Sequence, residues 1–216
     1  MFTPSSPHLV LGFSPFNPIF THDWLCETLY WANRYFATID IVHPGSLAMR
    51  LLVASGTPRG RAERKSRQQS NRDLRSIVAA LQTTGVQLDH GKPIILSEEM
   101  RHPWYQDLLG AVAAEYSKNS TFRGICRGVS AKALASRMKA TDPNRSADLD
   151  VAVRYVIEET PAFTHCPQLV GYDTATLAYP GSWAVGECIQ DNQTFLTHDP
   201  GSYYFNLRTL EGVNHV

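Results

Sequence analysis

Between Pro7 and Pro15 the chain carries one short apolar run, His8-Leu9-Val10-Leu11-Gly12-Phe13-Ser14, and no other segment restricts the fold as much. A run this short, apolar at successive positions and closed by proline on both sides, suits a strand buried on both faces better than a helix. Such strands belong to parallel sheets covered by helices. Pro15 biases Ser14 toward an extended backbone, and Gly12, lacking Cβ, lets a substrate pass close to the chain. Ligands of open α/β sheets bind beyond the carboxyl ends of the strands, so Ser14 stands at the mouth of a crevice. Taken alone it is equally a serine that ends a strand and caps a turn.

The rest of the chain repeats the alternation. Thr21 to Tyr35 has Trp24, Leu25, Leu29, Trp31 and Ala32 at mostly helical spacing, and Ala37 to Val42 and Pro93 to Leu96 read as further buried strands. Between them lie a basic stretch and a helical stripe of Leu74, Ile77, Val78 and Leu81. Helices are expected from Trp104 to Ser117 and from Ala147 to Thr160, joined by a polar, Gly-containing region with a shorter helix near Ala131 to Lys139. Asp142-Pro143-Asn144 is a turn. Thr174 to Tyr179 is a strand, followed by Pro180-Gly181, a short helix, and a last strand from Tyr203 to Leu207. Strand and helix in alternation give an α/β doubly wound fold, a Rossmann-like single domain over 1–216 with a mainly parallel sheet flanked by helices.

Composition narrows the function classes. Apolar residues make up 43% and charged residues 19% of 216 residues, and no apolar run approaches the ~20 residues of a membrane span. No basic residue precedes the first apolar stretch, so no secretory leader is expected and the cytoplasm is the default location. Cys26, Cys126, Cys166 and Cys188 are far apart without Cys-x-x-Cys, and the eight histidines show no His-x-x-x-His. Free, mostly buried thiols and no metal are the expectation. The chain is neutral overall, yet Arg59, Arg61, Arg64, Lys65, Arg67, Arg72 and Arg75 face only Glu63 and Asp73 in one window.

A second segment, Tyr155-Val156-Ile157-Glu158-Glu159-Thr160-Pro161, carries polar chemistry on a helix. Tyr155 and Glu159 are four apart and share a face, while Arg154 and Glu158 fall on an adjacent one. Pro161 disfavours helical geometry at Thr160, which predicts Glu159 near a helix C-terminus, where the macrodipole raises a carboxyl pKa. In isolation such a pair is equally surface or capping chemistry.

Together the two segments resemble the signatures of the cyclodipeptide synthases, His-x-aliphatic-aliphatic-Gly-aliphatic-Ser and Tyr-aliphatic-x-x-Glu-x-Pro, with Phe13 departing from the aliphatic position. Their order and separation match, together with Tyr179-Pro180. The resemblance implies an α/β domain like the catalytic domain of class I aminoacyl-tRNA synthetases. It also implies two aminoacyl-tRNAs as substrates and a diketopiperazine product. By the same resemblance Ser14 takes the first aminoacyl group, Glu159 holds or deprotonates the substrate ammonium, Tyr155 orients and relays protons, and Tyr179 lies near the scissile carbonyl. Gly12 and Asn17 would border the substrate. Tyr179-Pro180 indicates the family's Tyr-Pro branch, whereas Asn17, three residues after Ser14, is the mark of the other branch. The ester of a charged tRNA is already activated, so no ATP, cofactor or metal is called for. Ring closure requires a cis peptide, costing ~2.5 to 4 kcal/mol, and tethering to Ser14 supplies effective molarity. The basic residues from Arg59 to Arg75 recur at near-helical spacing and suit tRNA phosphates.

Three other readings compete. A class I synthetase relative would need His-Ile-Gly-His and Lys-Met-Ser-Lys-Ser type motifs, which His8-Leu9-Val10-Leu11 and Arg137-Met138-Lys139-Ala140 do not supply. A serine esterase of α/β fold would need a second glycine after Ser14 and a histidine base. His8 is six residues up the strand, roughly 20 Å away, and reads as a structural residue. A noncatalytic tRNA-binding module would use the basic helix without Ser14.

Overall fold

The computed structural model describes residues 4–137 and 148–210. The opening apolar run forms β1 (His8–Gly12), with all five residues buried. Thr21, whose hydroxyl accepts from the Trp24 amide at 3.2 Å, caps α1 (His22–Tyr35). The chain continues through β2 (Thr38–His43), α2 (Met49–Ala54), the long α3 (Arg59–Thr84), the two-residue β3 (Ile94–Ile95) and α4 (Leu96–Glu99). Then follow α5 (Pro103–Lys118), α6 (Ser120–Arg137), α7 (Leu149–Thr164), α8 (Cys166–Val170), β4 (Ala175–Tyr179), α9 (Ala184–Gln190) and β5 (Ser202–Asn206).

Among the described residues five strands form one parallel sheet in the order β3-β2-β1-β4-β5. The order reverses direction between β1 and β4, so a crevice opens at their carboxyl ends. Alternate side chains of the strands feed two cores. Leu9, Leu11, Ile39 and Ile41 meet Leu25, Leu29, Ile77 and Ala80 from α1 and α3, while Val10, Val42 and Leu177 meet Leu51, Tyr105, Tyr155 and Ala162 on the opposite face. Burial on both faces explains why these strands read as continuous apolar runs; each fully buried leucine contributes about 1.5–3 kcal/mol.

Two expectations are corrected. The polar region before Ala131 is helical, because Phe122, Cys126, Ser130 and Leu134 form a buried stripe at four-residue spacing. Gly124 and Gly128 lie between them on faces where an added Cβ would meet nothing within 4 Å. The strand expected from Pro93 to Leu96 is only Ile94–Ile95, since Leu96 already begins α4. The turn at Asp142-Pro143-Asn144, the helix end at Lys139 and the helix start at Ala147 lie outside the described residues.

At the amino ends of the strands the fold gathers histidines that are scattered in sequence. His8 is fully buried, its Nδ1 2.7 Å from the Thr38 hydroxyl and its Nε2 3.2 Å from Asp40 Oδ2. His90 Nδ1 lies 2.7 Å from the same carboxylate, and its backbone N–H donates to Asp40 Oδ1. Ligand atoms of His8, Asp40 and Asp89 fall within 4.8 Å of one another. Burial alone would push the Asp40 carboxyl up, but hydrogen bonds from His8 and His90 hold it below its ordinary value. The four cysteines are buried and free. Among the described residues no helix is long and apolar enough to cross a membrane.

Candidate active site

The sheet ends one residue before Ser14. Phe13 N–H still donates to Val42 C=O at 2.9 Å, and Ser14, partly exposed, is the first residue to leave the ladder. A tight turn follows. Asn17 N–H donates to Ser14 C=O, Phe20 N–H to Asn17 C=O, and Ile19 N–H to the Asn17 side-chain Oδ1 at 3.2 Å. Within it Phe16 is held at φ 65, a left-handed conformation that costs a residue with a side chain of order 1–3 kcal/mol. The segment after Ser14 is therefore fixed by its surroundings rather than by local preference.

Glu159 approaches from α7. The Tyr155 hydroxyl donates to Glu159 Oε1 at 2.5 Å, as residues four apart on one face allow. Contrary to the sequence expectation, Glu159 is not at a helix end, because α7 runs through Pro161 to Thr164. The macrodipole argument therefore does not hold, since it acts only within the last turn. Tertiary packing overrides the proline. Thr160, Pro161, Ala162 and Thr164 are all buried, and the Thr160 and Thr164 hydroxyls donate to the Val156 and Thr160 carbonyls. The Tyr105 hydroxyl from α5 donates to Glu158 C=O at 2.7 Å, tying α5 to the turn of α7 that precedes the proline. Burial, then the charge of Glu159, pushes the Tyr105 phenol well above its ordinary value, so it remains a neutral donor. On the flank, Arg50 of α2 makes a bidentate ion pair with Glu158.

Tyr179 ends β4, the strand beside β1, and its ring lies over Gly12. A Cβ at Gly12 would meet Tyr179 Cδ2 at 3.3 Å. Glycine here makes room for an aromatic ring as well as bordering the cavity. Ser14, Gly12, Tyr155, Glu159 and Tyr179 all line one cavity of about 190 Å³. Its remaining wall is mostly apolar, with Val42, Leu51, Leu96, Ala162, Phe163 and Trp183 prominent beside Ser130, Thr160 and Ser182. Nothing in the sequence signalled Trp183 or Phe163, whose rings pack with centroids 5.0 Å apart.

A second cavity, of about 210 Å³, shares Phe13 and Ser14 with the first and is lined also by Asn17, Gln69 and Asp73. Asn17 thus lines the second cavity and not the one that holds Glu159, and its Oδ1 is engaged in the turn. Among the described residues no histidine lines either cavity, which leaves a serine-hydrolase triad without its base.

Helix α3 forms the outer wall. Arg59, Arg61, Arg64, Lys65, Arg67, Arg72 and Arg75 are all exposed along it, with Arg59 paired to Glu63 at 3.1 Å. The anchoring stripe differs from the expected one. Ala62, Ser66, Asp73, Ile77 and Ala80 are buried, Leu74 and Leu81 are partly buried, and Val78 is 46% exposed. Asp73, counted in the sequence only as an offset to the basic residues, thus points inward. It accepts from Gln69 Nε2 at 2.7 Å and faces His43 Nε2 at 3.4 Å.

Comparison with known proteins agrees with this architecture. The profile of the family described as cyclodipeptide synthase matches residues 3–208. A cyclo(L-leucyl-L-leucyl) synthase of Corynebacterium jeikeium is 43% identical over 91% of this chain and 91% of its own length. The crystal structure of a cyclodipeptide synthase from Bacillus thermoamylovorans superposes with a TM-score of 0.83 at 30% identity, covering 91% of this chain and 86% of that one. At 15% identity, a cyclodipeptide synthase from Candidatus Glomeribacter gigasporarum bound to Phe-tRNAPhe shares the fold, with a TM-score of 0.62 over 95% of this chain and 89% of that one.

Proposed function

The chain belongs to the cyclodipeptide synthase family, and from that premise we propose that it joins the aminoacyl groups of two charged tRNAs into a 2,5-diketopiperazine through an aminoacyl-enzyme on Ser14. The observation that carries this reading is the convergence of Ser14, Tyr155, Glu159 and Tyr179 on one apolar cavity at the sheet's switch point, beside a helix with seven exposed cations.

Ser14 Oγ attacks the ester carbonyl of the first aminoacyl-tRNA, and the terminal ribose leaves with the proton that Oγ gives up. Glu159, its carboxylate aligned by the Tyr155 hydroxyl, accepts the α-ammonium of the bound aminoacyl group. The amine of the second aminoacyl-tRNA attacks the Ser14 ester carbonyl and Oγ leaves with the proton the amine gives up; Oγ then attacks the ester carbonyl of the second residue, whose ribose leaves with that proton, and a dipeptidyl-enzyme results. The free amine of the dipeptide attacks the Ser14 ester carbonyl, and ring closure releases Ser14. Tyr155 relays protons during closure and Tyr179, against Gly12, orients the carbonyl. No ATP or metal is required, because the tRNA ester supplies the activation. The histidine–aspartate group at the strands' amino ends lies at the other edge of the sheet and takes no part.

An aliphatic side chain suits the first cavity, whose walls include Val42, Leu51, Leu96 and Ala162. Leucine is the residue we propose, in keeping with the name of the relative at 43% identity. Assignment to the Tyr-Pro branch rests on Tyr179-Pro180, with Asn17 serving the turn through its Oδ1. Exposed Arg61, Arg64, Lys65, Arg72 and Arg75 receive tRNA phosphates, and dependence on charged tRNA sets the work in the cytoplasm. Expression in a bacterial host with mass spectrometry of the medium tests the reading: a new leucine-containing diketopiperazine is expected, absent with Ser14→Ala. A product unchanged by Ser14→Ala, or no product together with no label on Ser14 from leucyl-tRNA, refutes it.

A further inference from the structure

Ser14 lines two cavities. The first is mostly apolar and holds the Tyr155–Glu159 pair; the second sets the polar Asn17, Gln69 and Asp73 beside Phe13, Phe16, Pro18 and Phe20. An ester carbonyl at Ser14 has two substituents, the aminoacyl group and the ribose oxygen, so the two cavities match its two ends. Resting on the aminoacyl-transfer reading, we propose that the second cavity is the leaving-group subsite, which seats the terminal ribose of the charged tRNA with its vicinal hydroxyl donating to Asp73.

The hydrogen bonds around Asp73 define what it can accept. Gly45 N–H donates to His43 Nδ1 at 2.9 Å, so the ring proton is on Nε2, which faces Asp73 Oδ2 at 3.4 Å. Gln69 Nε2 donates to Oδ1 at 2.7 Å. A carboxylate has about four acceptor positions, so these two partners leave acceptor capacity on both oxygens. Asp73 is 7% exposed, and its carboxylate is held in place from two elements. A fixed anion in this position repels phosphate, while Arg72 and Arg75, exposed on the same helix, attract it. Hydroxyl groups go inward and phosphates outward, which is the order of groups at the end of a nucleotide chain. Phe16, held at φ 65, also borders this cavity.

In the transfer step the Ser14 Oγ–carbonyl bond forms, the carbonyl–ribose oxygen bond breaks, and the ribose oxygen takes the proton from Oγ. Asp73 neither gives nor takes a proton; it fixes the departing ribose through the neighbouring hydroxyl.

Single-turnover transfer of labelled leucine to Ser14 tests this, using tRNA charged on the 3′-hydroxyl and ending in either adenosine or 2′-deoxyadenosine. Wild-type protein is expected to react about 10- to 100-fold more slowly with the deoxy substrate, the size of one hydrogen bond to a charged acceptor. Asp73→Asn is expected to slow the natural substrate and to bring the two rates together within about 2-fold, the signature of a direct contact in a double-mutant cycle. Gln69→Ala, a milder change on a half-buried position, narrows the ratio by loosening the carboxylate. Equal wild-type rates overturn the proposal even if Asp73→Asn does not fold, and so does a full ratio retained in either variant. Absence of label from natural leucyl-tRNA on wild-type Ser14 overturns the transferase reading itself, whereas label without hydroxyl discrimination overturns the subsite alone.

Discussion

Replacing Tyr105 by phenylalanine removes one oxygen atom from the point where α7 passes Pro161. That hydroxyl donates to Glu158 C=O at 2.7 Å, inside a fully buried site. If the α7 backbone keeps its place, the buried carbonyl loses this partner at a cost of about 1–3 kcal/mol. If α7 instead shifts to relieve the gap, the turn carrying Glu159 moves relative to Ser14. The first outcome lowers the thermal midpoint, by roughly 2 to 4 °C per kcal/mol for a chain of this size. The second leaves the midpoint nearly unchanged and lowers Ser14 acylation, because a shift of about 1 Å in a positioned group can cost of order 100-fold. Thermal unfolding followed by circular dichroism, run beside single-turnover acylation, separates the two. A Tyr105→Phe protein with both midpoint and acylation rate at wild-type values refutes the assignment of this hydroxyl as the support of the α7 turn that carries Glu159.

At the other end of the sheet, the depressed Asp40 carboxyl contributes stability above its ordinary value of 3.8, and this is lost as pH falls through the lower folded value. Asp40→Asn should therefore cost about 1–3 kcal/mol at neutral pH and flatten the loss of stability below pH ~4, measured by urea unfolding across pH 2.5 to about 7; an unchanged acid limb contradicts it. Replacing Arg64, Lys65, Arg72 and Arg75 together by alanine should weaken binding to all tRNAs and reduce the slope of log affinity against log salt by up to about 0.7–0.9 per lost phosphate contact. Equal binding and slope by the variant count against α3 as the tRNA face. Gly12→Ala puts a methyl 3.3 Å from the Tyr179 ring; turnover is expected to fall by about 10-fold or more and stability by the ~1–3 kcal/mol typical of overpacking, and wild-type turnover argues against the placement of Tyr179.

Much of this was legible because it depends on local pattern. The run from His8 to Gly12 is apolar at every position since both faces of β1 are covered, and α1 shows its cap and stripe in Thr21, Leu25 and Leu29. Where the sequence misled, long-range packing prevailed over a local tendency. Pro161 sits inside a helix because Thr160 to Ala162 are buried and Tyr105 holds the preceding turn through Glu158 C=O, and Gly124 and Gly128 do not interrupt α6 because Phe122, Cys126 and Leu134 bury its other face.

The amino-acid order alone determined the alternation of strand and helix, the position of Ser14 beyond a buried strand, the shared face of Tyr155 and Glu159, and the basic character of one helix. These are properties of neighbours in the chain, fixed by periods of two and 3.6 residues. Tertiary structure alone decided that Tyr179 covers Gly12, that Tyr105 supports the turn bearing Glu159, and that Asp73 faces inward beside Ser14. Each of those contacts joins segments distant in sequence, and their geometry is set by which strands lie side by side and how the helices pack on them, quantities that no local period encodes.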